Sequence, residues 1–87
     1  MQKTRPCVVI SPDELNQSLR TAIIAPMTTQ SRAYPWRVPV TFGGRSGRIA
    51  LDQLRTVDGA RLSSQVGHLD IDTAQQVLDK LAEMFAP

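Results

Sequence analysis

Arg5 heads one apolar run and the pair Thr28-Thr29 ends the next. The first run is Cys7-Val8-Val9-Ile10, and the second is Thr21-Ala22-Ile23-Ile24-Ala25-Pro26-Met27. Strands adjacent in sequence usually pair in space. A hairpin joining these two carries them antiparallel, so Arg5 and Thr28-Thr29-Gln30 meet at one end of a sheet. A fixed guanidinium beside hydroxyl and amide groups can hold a phosphate, because its planar fork donates parallel hydrogen bonds to anionic oxygens. That chemistry is phosphate binding or phosphoryl transfer.

Other chemistries have little to stand on. His68 is the single histidine, so one chain cannot build a two-histidine acid–base pair, and a surface role suits it better. Cys7 is the single cysteine: it allows no internal disulfide, and in an apolar run it reads as a small core residue. The scattered carboxylates lack zinc-ligand spacing. Asp13-Glu14 is explained by helix capping, and no glycine-rich loop opens a helix to cradle a mononucleotide. What survives is Arg5, Thr28, Thr29 and Gln30, the arginines at 32, 37, 48 and 55, the Tyr34/Trp36 loop, and Asp52-Gln53. Aromatic rings beside arginines can stack bases and bind backbone phosphate. The structural alternatives are a hydrophobic lid for Tyr34 and Trp36, and a satisfied polar pair at a strand end for Asp52-Gln53.

The 87 residues allow one small domain, 1–87, with a thin core. No apolar stretch approaches the ~20 residues that span a bilayer, and no signal peptide is visible, so the chain reads as soluble and cytoplasmic. Charge is uneven: residues 1–61 carry +5, nearly all from arginine, and residues 62–87 carry −3. Solvated surface charge is the ordinary reading of such a pattern. An anionic partner is the functional one, with nucleic acid the commonest.

The elements that must position these groups follow from local patterns. Cys7 to Ile10 is a buried strand. Ser11-Pro12-Asp13-Glu14 reads as a capping box opening a short helix to about Gln17. Thr21 to Met27 is a second buried strand, with Pro26 expected at an edge or bulge for want of an N–H. A polar and aromatic loop leads to Arg37–Phe42, an alternating edge strand. Gly43 to Gly47 then connects it to a strand over Arg48–Leu54. Asp58-Gly59 signals a turn, and Leu62 to Leu69 is a weaker last strand. Asp72 caps a final helix whose Ala74, Val77, Leu78, Leu81, Met84 and Phe85 form one apolar stripe. The stripe packs on the sheet, with a partner subunit as the lesser option. Short strands plus a terminal helix make a small antiparallel barrel or half-barrel.

The order of these motifs is more specific than any one of them. Lys3-Thr4-Arg5-Pro6 precedes Val8-Val9-Ile10-Ser11-Pro12. Then come Pro26-Met27-Thr28-Thr29-Gln30-Ser31, Tyr34-Pro35, and Leu51-Asp52-Gln53-Leu54-Arg55-Thr56-Val57-Asp58. In this order and at these spacings the chain resembles the MazF/PemK toxin family, from about residue 3 to the C-terminal helix. The resemblance implies a mainly β fold with flanking helices. It would be a small SH3-like, partly open barrel of the CcdB/PemK kind with a C-terminal amphipathic helix, acting as a homodimer. It implies the toxin half of a bacterial type II toxin–antitoxin pair, a sequence-selective endoribonuclease that cuts single-stranded mRNA without metal or cofactor. The ribose 2′-hydroxyl attacks the adjacent phosphate, leaving a cyclic phosphate and a 5′-hydroxyl.

On this resemblance the catalytic arginine falls on Arg5 and the catalytic threonine on Thr28. Thr29, Gln30, Arg32, Tyr34, Trp36, Asp52 and Gln53 would bind or position RNA. The expected partners are single-stranded RNA, a second copy of the chain, and a cognate antitoxin laying an acidic, partly disordered segment over the basic groove. Family members carry a first strand and an acidic loop residue ahead of the Arg-Pro motif, whereas Met1 falls inside that loop. The expectation is a shortened barrel with an exposed edge. Two alternatives follow: a catalytically weak toxin-like barrel that binds antitoxin, and a gyrase-poisoning toxin of the same fold.

Overall fold

The structure, a computed structural model, describes residues 5–29, 34–62 and 65–87. Gln30 and Arg32, expected to contact RNA, lie outside the described residues. Five strands and two α-helices follow in the order β1 (Cys7–Val9), α1 (Asp13–Leu19), β2 (Thr21–Thr28), β3 (Arg37–Phe42), β4 (Arg45–Ala50), β5 (Arg55–Asp58) and α2 (Ile71–Met84). Short 3-10 turns cover Leu51–Gln53 and Gly59–Arg61. Together they form an open, five-stranded half-barrel closed on one side by the C-terminal helix, as the sequence leads one to expect.

β2 is the hub. It pairs antiparallel with β1 along one edge. Along the other edge it pairs first with β5, from Thr21 to Ile24, and then with β4, at Met27 and Thr28. The expectation for Pro26 needs correcting on this point, because β2 is central. The Met27 N–H donates to the Pro6 carbonyl at 3.2 Å, toward β1. By the two-residue period of a strand, the Pro26 nitrogen therefore faces the opposite edge. There the pairing passes from β5 to β4, so the missing N–H falls in a gap in the ladder.

β3 is an edge strand, as its alternation and Pro39 suggest. β4 begins three residues earlier than expected and ends at Ala50. The connection is only Gly43-Gly44, both at positive φ (58° and 77°) between the paired residues Phe42 and Arg45. That is a two-residue hairpin, in which glycine accepts the left-handed backbone without strain. The rest of the expected β4, Leu51–Gln53, winds into a 3-10 turn.

The inner face holds the core. Val8, Ala25, Val38, Ile49 and Leu51 are buried together with Val77 of α2. Met27, Trp36, Leu81 and Met84 are half-buried against them. The α2 stripe divides along its length: Leu78 and Phe85 stay exposed, as does Ile71. Each helical residue advances by about 100°. Leu78 and Phe85 follow Val77 and Met84 directly and are thereby turned off the sheet.

The capping expectations also need correction. Pro12, not Ser11, stands at the N-cap of α1, and no side chain caps it. Ser11 is buried instead, accepting from the Ile23 N–H at 2.9 Å and donating to the Asn16 Oδ1. Tertiary pairing has claimed the hydroxyl that a capping box would use. In α2 the N-cap is Asp70 rather than Asp72. Residues 62 and 65–69 show no strand.

Candidate nucleic-acid site

The register of β1 and β2 builds the site. Cys7 faces Pro26, and the Met27–Pro6 bond carries the pairing one step further. Continued one step beyond β1, this register would bring Arg5 to the Thr28 end of β2, the juxtaposition expected from the two runs. On β2's other side Thr28 pairs with Arg48, which in turn faces Pro39 of β3. Directly opposed residues in antiparallel strands project from the same face. Arg5, Thr28 and Arg48 thus form a row across the outer face of the sheet, away from the core.

Thr28 is half-buried, while Arg5 and Thr29 are exposed. Arg5, Thr29, Gly47 and Arg48 all line one broad open groove. Gly47 is required by close approach: a Cβ there would stand 2.8 Å from the Thr28 carbonyl oxygen. The absence of a side chain lets β4 close on the end of β2 and sets Arg48 beside Thr28.

A second cluster lies on the same face. Arg37 is two residues before Pro39, about 7 Å along the strand at ~3.3 Å per residue. Its Nε and Nη2 donate to the two oxygens of Asp52, at 3.1 and 3.2 Å. Its guanidinium also lies 4.9 Å from the centre of the Tyr34 ring, within cation–π range. The hydrogen bonds from Arg37 hold the Asp52 carboxyl below its ordinary range, against a smaller opposing effect of burial. The same bond raises the guanidinium, which stays charged. Asp52 is therefore the satisfied partner of an arginine, and it anchors the residue on which Tyr34 packs. Trp36 lies against the core, and its carbonyl accepts from the Leu51 N–H at 3.0 Å. That is the lid role considered for it. Gln53 is exposed on the 3-10 turn beside Asp52.

The depressed Asp52 pKa has a sign that can be worked out. A carboxyl whose folded pKa lies below its unfolded value of ~3.9 stabilises the fold fully above that value. The contribution is lost as pH falls through the folded pKa. The melting temperatures of the parent and of Asp52→Asn should differ by a constant amount from pH 5 to 8 and converge below about pH 4. Thermal melts across that range check it, and a gap that widens in acid would refute the assignment.

Arg37 and Arg48 were not singled out from the sequence among the surviving arginines. The pairing register sets Arg48 beside Thr28, whereas Arg55 faces Ile24, four residues back along β2. His68 is exposed, with Gln65 at hydrogen-bond distance from its ring. Burial pushes the Cys7 thiol up, with Arg55 pulling the other way, which suits a packing role. Among the described residues no group of three His, Cys, Asp or Glu side chains could hold a metal ion. Among the same residues no helix is long and apolar enough to cross a membrane.

The family of PemK-like, MazF-like toxins of type II toxin–antitoxin systems matches residues 1–85. The endoribonuclease EndoA of Bacillus subtilis (strain 168) is 35% identical over 85 residues, covering 91% of this chain and 70% of that protein. The endoribonuclease toxin MazF of Escherichia coli (strain K12) is 36% identical over 53 residues, covering 61% of this chain. That match takes in 48% of the toxin, so the chain spans about half the length of this curated relative. Among solved structures, a MazE–MazF complex from Deinococcus radiodurans superposes with a TM-score of 0.83 at 27% identity. It covers 94% of this chain and 81% of that one. A mycobacterial endoribonuclease in complex with its cognate antitoxin shares the fold, with a TM-score of 0.84 at 20% identity, covering 95% of this chain and 82% of that one.

Proposed function

The chain belongs to the PemK-like, MazF-like toxin family of type II toxin–antitoxin systems, and on that premise we propose that it is a metal-independent endoribonuclease acting on single-stranded mRNA in the cytoplasm. The observation that supports the reading is the antiparallel register of β1 and β2, which runs through Cys7–Pro26 and the Met27–Pro6 bond toward Arg5 and Thr28. In the proposed reaction the 2′-oxygen forms a bond to the adjacent phosphorus as its proton leaves to solvent. The bond from phosphorus to the 5′-oxygen breaks, and that oxygen takes up a proton. The products are a 2′,3′-cyclic phosphate and a 5′-hydroxyl. Arg5 is a poor base, because guanidinium stays protonated in proteins. Its part is to stabilise the negative charge that grows on the phosphate oxygens. Thr28 hydrogen-bonds a non-bridging oxygen or orients the 2′-hydroxyl. Tyr34, steadied by Arg37 and Asp52, offers a ring to an unstacked base. Thr29, Gln30, Arg32 and Gln53 complete the RNA-contacting set in this reading, with Trp36 supporting the loop from the core.

The partners follow from the same premise. An acidic antitoxin segment would lie on the arginine-rich face, a pairing supported by the MazE–MazF complex of the Deinococcus relative. A second copy of the chain would complete a homodimer, which would cover apolar surface such as the exposed α2 residues Ile71, Leu78 and Phe85. The test of the central claim is incubation of the purified chain with single-stranded RNA in excess EDTA. Fragments ending in cyclic phosphate are the expected product. RNA left intact at high protein concentration would overturn the reading.

A further inference from the structure

We propose that Arg48 is a second phosphate-binding residue of this face, gripping the backbone of a single-stranded nucleic acid beside Thr28; the proposal rests on the reading of the face as an RNA site. Three observations carry it. Arg48 is the register partner of Thr28, in the row that Arg5 begins. It lines the same groove as Arg5 and Thr29. Its Nη1 is buried, and no hydrogen-bond acceptor reaches it among the described residues.

The last point decides the matter. Arg48 is half-buried, and one nitrogen of its guanidinium is buried without an acceptor, whereas buried polar groups are nearly always paired. An apolar side chain of similar length would serve a purely structural purpose better. Asp52 is paired with Arg37, and among the described residues no acidic side chain forms an ion pair with Arg48. The half-buried side chain borders the groove, where an anionic oxygen can meet its exposed part. A phosphodiester supplies two, and the guanidinium fork is shaped for them. With Arg5 on one side of Thr28 and Arg48 on the other, the backbone would be held on both flanks of the hydroxyl. Gly47 makes the arrangement possible, because it lets β4 approach the Thr28 carbonyl.

The probe is a mixed-sequence single-stranded deoxyoligonucleotide, which lacks the 2′-hydroxyl and so is bound without being cut. Its affinity is measured over a range of salt concentrations for the parent, Arg48→Met and Arg48→Lys. The expected result is a slope of log affinity against log salt that falls by about 0.7 in Arg48→Met, the loss of one single-strand phosphate contact. Arg48→Lys, which keeps the charge, restores the slope. The melting temperature of Arg48→Met is measured beside the slope, and a large fall with an unchanged slope would make Arg48 a structural residue and overturn the proposal. An unchanged salt slope in Arg48→Met overturns the proposal, and so does a slope that Lys fails to restore. RNA cleavage by the parent separates this inference from the nuclease reading. A parent that binds the probe yet leaves RNA intact overturns the nuclease reading, while a reduced slope in Arg48→Met still upholds Arg48. A parent that binds no nucleic acid overturns both.

Discussion

Arg5→Ala should slow RNA cleavage by about 100–1000-fold while leaving the melting temperature unchanged. The rate effect follows from what the guanidinium does. Charge accumulates on the phosphate oxygens only as the 2′-oxygen attacks, and a donor already in place stabilises it without reorganisation. The stability effect follows from exposure. Arg5 is solvent-exposed and precedes β1, so its truncation opens no cavity. Single-turnover cleavage of a labelled single-stranded RNA in EDTA, read beside a thermal melt, tests both halves. Arg5→Lys should recover only part of the rate, because an ammonium is a point charge and lacks the fork. Cleavage by Arg5→Ala at the parent rate would remove Arg5 from the reaction. Loss of rate together with a large fall in melting temperature would instead make it a structural residue.

Ile49→Ala is expected to be the most damaging single truncation of the fold. Ile49 is 0% exposed, and it faces Met27 of β2 on one side and Val38 of β3 on the other. It joins the hub strand to the edge strand beneath the row of Thr28 and Arg48. Truncating a buried isoleucine to alanine costs about 2–5 kcal/mol. A domain of this size is worth in total roughly 4–13 kcal/mol at ~0.05–0.15 kcal/mol per residue. The substitution therefore removes a large share of the stability. In urea titrations the midpoint should drop with little change in slope, because the surface exposed on unfolding is nearly the same. Ile49→Val, which loses one methylene, should cost only about 0.5–1.5 kcal/mol. A midpoint for Ile49→Ala within error of the parent would show that this site is not packed as described.

The residues differ in how much of their role could be read in advance. Continuous apolar runs flagged β1 and β2, but only β2 is largely buried; β1 lies at the sheet edge and leaves Val9 exposed, so its expected burial needs correcting. The heptad-like spacing from Ala74 to Met84 flagged α2, although which part of the stripe meets the sheet depended on how the helix docks. The capping box at Ser11 failed for a related reason. Its local pattern was real, but the buried hydroxyl found the Ile23 N–H on β2, twelve residues away. Of the strand expected between Leu62 and Leu69, the described residues 62 and 65–69 pair with no strand, and hydrophobicity alone does not supply a ladder. Pro26 shows the converse. Its missing N–H was legible, whereas the gap that accommodates it exists only because two strands share one edge of β2.

By itself the sequence determined that Arg5 and Thr28 can meet, since antiparallel pairing of two adjacent apolar runs joins the head of one to the tail of the next. It also carried the ordered motifs of the toxin family, and with them the phosphate chemistry proposed for the pair. Only the tertiary structure decided which other groups share their face. The Arg37–Asp52 pair and the Thr28–Arg48 register arise from contacts between residues 15 and 20 apart in the chain. Such contacts depend on how the sheet folds over its core. Local pattern constrains what each residue prefers, and side chains from distant segments become neighbours only once the core has set the strands in register.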